Sequence, residues 1–113
     1  MITRFEEETH ELTNQEETLV KLMVIGLSKN IGKEKIITNK QMQQGFKSQG
    51  YKVGDARIRK MIHFIRVKGL INNLVSTNKG YYIATDFEDV QEYVQSLTER
   101  RNSIDEVINS FKI

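Results

Sequence analysis

At 113 residues, with 17 Lys and Arg against 15 Asp and Glu, the chain has room for one small domain and a single core. The absence of cysteine excludes disulfide staples and thiolate chemistry, and two isolated histidines do not make a metal cluster. The longest apolar run, "LMVIGL" at 22 to 27, is far shorter than the roughly 20 residues of a membrane span, and the acidic start "MITRFEEETHE" is unlike a signal peptide. A soluble intracellular protein of the cytoplasm, with no membrane partner, is expected.

The net charge of +2 conceals a segregation. Residues 1–30 carry three cations and six acids, residues 31–80 carry eleven and two, and residues 81–113 carry three and seven. A basic block between acidic ends predicts a polyanionic partner for the middle of the chain, the plain alternative being lysine kept for solubility.

Residues 1–12 read as an N-terminal arm, in which His10 is a surface residue. "TNQE" at 13–16 is a capping box that opens a helix running to about Lys29. This helix is apolar on nearly every side and is expected to bury two faces, one of them against the C-terminal segment. After the turn "NIGKEK", the β-branched "IIT" at 36–38 reads as a brief strand, and "TNKQ" at 38–41 caps a second helix. Met42 and Phe46 share one face of that helix, and Gly50 is placed to stop it in the left-handed conformation.

A third helix follows at about 55–68, with Asp55 as its N-cap and Gly69 at its end. On a helical wheel, Ile58, Met61, Ile62 and Ile65 form the core stripe. Ala56, Lys60, His63 and Val67 lie opposite, Arg59 and Arg66 occupy one shoulder, and Arg57, Phe64 and Lys68 the other. "LINNLVST" at 70–77 and "YYIA" at 81–84, around an Asn/Gly turn, predict a β-hairpin in which one of Tyr81 and Tyr82 is core. "TDFE" at 85–88 caps a last helix, which the cap-like "NSIDE" near residue 103 is expected to bend or break.

The expected class is mainly α with a small β-hairpin (α+β): a winged helix-turn-helix over 13–84, followed at 85–113 by a heptad-patterned helix. In this arrangement the third helix enters the major groove of double-stranded DNA. Arg57, Arg59 and Lys60 are the base-reading candidates, because arginine meets guanine bidentately and helix N-terminal side chains reach base edges. Lys33, Lys35, Lys40, His63, Arg66 and Lys68, with Asn78 and Lys79 at the hairpin tip, are candidate phosphate contacts.

Phe87, Val90, Val94, Leu97, Arg101, Ile104, Ile108 and Phe111 recur at spacings of 3 and 4, a heptad seam. The seam suits either a homodimer or packing on the first helix within one chain, and a homodimer is expected, because paired recognition helices gain affinity on a two-fold operator. No glycine-rich phosphate loop, cysteine nucleophile or metal-spaced histidine set appears, so neither catalysis nor a cofactor is expected. The rival to DNA binding is a winged-helix module for protein contact, a replication-complex adaptor or anti-repressor with another protein as partner.

The segments "ITNKQM", "DARIRKMIHFIRVKGLI" and "KGYYIATDFEDVQEYVQSLTERRNSI", spread over about residues 13–110, resemble small winged-helix proteins encoded by bacteriophages and prophages. The run "GYYIAT" followed by an acidic helix ending in "LTERRNSI" carries most of the resemblance. It implies DNA binding in phage transcription control or replication, the cytoplasm of a bacterial host cell as the compartment, and, in the rival reading, a phage or host protein as the partner.

Overall fold

A computed structural model describes residues 11–111; most of the expected N-terminal arm, and His10 with it, lies outside the described residues. The chain is mainly helical with one small antiparallel hairpin. In order it forms α1 (Asn14–Leu27), a 3-10 turn (Lys33–Lys35), α2 (Asn39–Ser48), α3 (Asp55–Val67), β1 (Leu74–Thr77), β2 (Gly80–Ile83) and α4 (Phe87–Ser110).

The first two helices begin where their capping boxes dictate. Glu16 N–H donates to Thr13 Oγ1 at 3.2 Å and Thr13 N–H donates to Glu16 Oε1 at 2.9 Å. Gln41 and Thr38 repeat the exchange at 3.0 and 2.8 Å. Each box satisfies orphan amides of a first turn from both directions. Helix α1 stops at Leu27, two residues earlier than expected, where the Ser28 hydroxyl donates to the Val24 carbonyl. The end of α2 is the one expected: Gly50 takes φ 89°, and Tyr51 N–H returns to the Phe46 carbonyl.

Helix α3 is capped by Gly54 rather than Asp55, which becomes its first residue. Ile58, Met61, Ile62 and Ile65 are buried as the wheel predicts, and meet Leu19, Val20, Met23 and Leu27 of α1 and Met42 and Phe46 of α2. Only one side of α1 is fully used; Ile25 is 61% exposed.

The hairpin pairs Leu74 with Ile83 and Thr77 with Gly80, around a two-residue turn of Asn78 and Lys79. Its first strand starts later than expected, because residues 70–73 form turns in which Asn73 adopts φ 61°. The expected strand at 36–38 reduces to one antiparallel bridge, Ile37 to Tyr81, with N–H···O distances of 2.9 and 2.8 Å. That bridge brings the Ile37 carbonyl so close to Gly80 (φ 147°) that a Cβ there would lie 2.3 Å from its oxygen. Glycine is required for this approach.

Helix α4 is capped by Asp86, whose carboxylate accepts from Glu88 N–H, and runs unbroken through residue 103. It leans on the hairpin and not on α1: Val90 and Tyr93 join Val75, Tyr82, Ala84 and Ile36 in a second small cluster. From Glu99 to Phe111 every residue is exposed. Among the described residues no helix is long and apolar enough to cross a membrane.

Candidate nucleic-acid interface

The basic block does not form one uniform face. Three of its cations turn inward, each for a different reason. Lys60, expected on the outer face of α3, is only 9% exposed, and its ammonium lies 2.7 Å from Oε1 of Glu16. Arg57 lies beside it: Nε donates to Glu16 Oε2 at 3.1 Å, Nη2 to the Gln15 side chain at 3.0 Å, and Nη1 to the Lys52 carbonyl at 3.3 Å. Both side chains therefore tie α3 to the start of α1.

Glu16 is the hub of this cluster and is 3% exposed. Burial alone would raise its pKa, but hydrogen bonds from the Lys60 ammonium, the Thr13 amide and the Arg57 guanidinium outweigh burial and hold it at about 2. A capping carboxylate that already takes Thr13 N–H thus neutralises the buried Lys60 and the half-buried Arg57 as well.

Arg66, expected to meet phosphate, is the third inward cation. Its Nε donates to the Leu74 carbonyl at 2.9 Å and its Nη2 to Ser76 Oγ at 2.6 Å. The guanidinium lies 5.0 Å from the Tyr93 ring centroid and 5.8 Å from that of Tyr81. It joins α3, β1 and α4, an internal role.

The remaining cations divide by location. Lys33 is exposed and sits 3.7 Å from Asp89 of α4, and Lys35 is exposed on the same 3-10 turn. Lys68 is exposed at the far end of α3, its ammonium 5.9 Å from the Phe64 ring centroid. None of these three lines a groove with the other candidates. His63 is exposed on α3, one turn beyond Arg59.

Two open grooves collect the others. One, of about 520 Å³, lies between the starts of α2 and α3 and the hairpin, and is lined by Lys40, Arg59, Asn78, Lys79 and Tyr81 among others. Burial raises the pKa of the Tyr81 hydroxyl, with Arg66 and Asn39 opposing the shift, so at neutral pH this group is a proton donor. Asp55 also lines this groove and is paired with Arg59. The second groove, of about 650 Å³, runs along α2 and the α2–α3 turn and includes Lys40, Lys47, Tyr51 and Lys52.

The grooves share Lys40 and Gln43 and so adjoin, and Asp55 is the only acid among the lining residues of the two. Lys47 and Lys52 were not anticipated as site residues. Their signal was present in the sequence: Lys40, Gln43, Gln44 and Lys47 follow the spacing of one helix face. Asn39 and Gln43 add amide groups beside them, with Gln43 Nε2 donating to Asn39 Oδ1 at 2.6 Å.

Chemically, this surface offers ammonium and guanidinium donors, side-chain amides and a phenol, all suited to anionic oxygens. Among the described residues, no group of three His, Cys, Asp or Glu is placed to hold a metal ion. Comparison with protein-family models, with curated protein sequences and with solved structures returns no match.

Proposed function

We propose that the chain binds double-stranded DNA as a winged helix-turn-helix protein, with α3 as recognition helix and the β1–β2 hairpin as wing. One observation carries this reading: the exposed cations Lys40, Lys47, Lys52 and Lys79, together with Arg59, line two adjoining grooves that meet at Lys40 and Gln43. Cations drawn from α2, the α2–α3 turn, α3 and the hairpin tip into adjoining grooves match a phosphate backbone better than they match a solvated face.

In this reading Lys40, Lys47, Lys52 and Lys79 neutralise phosphates and fix the register, and Arg59 is the side chain of α3 that addresses base edges. His63, one turn further along the same exposed stripe, accompanies it. Arg57, Lys60 and Arg66 hold the frame that presents these groups. The process served is phage or prophage transcription control or replication, as the sequence resemblance implies.

The test is a duplex titration at several salt concentrations with random and selected DNA. Binding should weaken steeply with salt, the slope of log K against log salt falling by about 0.9 for each phosphate-neutralising lysine removed. Salt-independent or absent duplex binding by the intact chain would end this reading.

A further inference from the structure

We infer that the projecting half of α4 is a dimerisation rod that pairs antiparallel with a second copy of itself, in one defined register. The inference stands independently of DNA binding. Over Glu99–Ser110 the helix makes no buried contact, yet Ile104 and Ile108 are each 56% exposed and Val107 is exposed beside them. A helical segment this short gains little stability in water without an apolar partner.

The occupant follows from the charges that flank the seam. Val90 faces its own hairpin, which leaves Val94, Leu97, Arg101, Ile104, Ile108 and Phe111 as the open seam. Tyr93, Arg100 and Val107 border it on one side, Thr98 and Asp105 on the other. A parallel pair would set Arg101 against Arg101 of the partner subunit. An antiparallel pair with Leu97 opposite the partner's Arg101 would set Arg100 against the partner's Arg100. Sliding the other way, with Ile104 opposite the partner's Ile108, would oppose Asp105 to the partner's Asp105.

The register with Arg101 opposite the partner's Ile104 is free of all three repulsions. It sets Leu97 against the partner's Ile108, both exposed and apolar. Arg100 lies along the partner's Val107, and Thr98 meets the partner's Asp105. The Arg101 stem covers the partner's Ile104 while its guanidinium reaches water. Like charges kept apart in one register are how paired helices specify alignment.

The test uses the full chain. Sedimentation equilibrium over a concentration series into the hundreds of micromolar should show a species of twice the 13.2 kDa chain mass. Leu97→Asp and Ile104→Asp, at exposed positions, should each weaken association at least about 100-fold, since a carboxylate would be buried unpaired. At concentrations low enough that parent and variants are all monomeric, equal circular dichroism melting would show the body intact.

Because the chain has no cysteine, register is read directly under oxidising conditions. The double variant Leu97→Cys with Ile108→Cys should form disulfide-linked dimers, and Leu97→Cys alone should not. A monomer at every concentration would overturn the proposal, as would efficient self-linking of Leu97→Cys alone, the mark of a parallel pair.

Discussion

The Lys60 ammonium and the Glu16 carboxylate meet at 2.7 Å across 44 residues of sequence, both buried, and this contact joins the recognition-like helix α3 to the first turn of α1. Breaking it from one side leaves an uncompensated charge. Glu16→Leu, which strands Lys60 and Arg57 together, should cost about 3–5 kcal/mol. Replacing the pair jointly with apolar residues should cost much less. Urea denaturation of the single and double variants measures the difference.

The same carboxylate makes stability depend on acid. Glu16 sits at about 2 in the folded chain against an ordinary value of 4.5, so the unfolded chain binds the proton more readily between these values. Its contribution is fully present above about pH 5 and is lost as pH falls from 4.5 toward 2, a change on the order of 3 kcal/mol. Urea midpoints followed from pH 6 to pH 2 should decline in this window, and Glu16→Gln should flatten the decline.

The outward and inward cations should separate experimentally. Alanine at Lys40, Lys47, Lys52 and Lys79 should leave the melting temperature unchanged and lower the salt slope of duplex binding by about 0.9 per position. Arg59→Ala should relax sequence preference, costing about 1–3 kcal/mol on a selected site. Lys60→Ala should lower the melting temperature instead.

Gly80 has a backbone geometry that only glycine fits. Gly80→Ala would drive a Cβ into the Ile37 carbonyl and force a side chain onto φ 147°. A loss of about 2 kcal/mol or more is expected, read as a melting temperature lower by roughly 10 °C.

Arg66 holds three elements at once. Arg66→Met keeps much of the stem but abandons the Leu74 carbonyl, Ser76 and the Tyr93 ring. The expected cost is about 2–3 kcal/mol, with faster hydrogen exchange in the first turns of α4. Arg66→Lys should recover only part of it, since a point charge cannot make the forked contact.

What was legible in the sequence was local. Thr13 with Glu16, Thr38 with Gln41, and Gly50 act within one turn of chain, and each is found where its spacing predicts. The core stripe of α3 was legible too, because four apolar residues share an arc. The fates of Arg57, Lys60 and Arg66 were not, since their partners lie on other elements and a wheel carries no information about those. Glu16 shows the difficulty best: its capping role could be read from three residues, whereas its pairing with Lys60 exists only once α1 and α3 pack. The cap-like "NSIDE" misled because Ser and Asp are tolerated on an exposed helix when flanking residues continue it.

The unbroken course of α4 acquires a metric meaning once two copies pair as inferred. Equivalent Val90 positions would then stand about 38 Å apart along the shared rod, at about 1.5 Å of rise per residue. One turn of B-DNA advances about 34–36 Å. The helix would thus act as a spacer, fixing how far apart the two bodies, and the grooved surfaces they carry, are held.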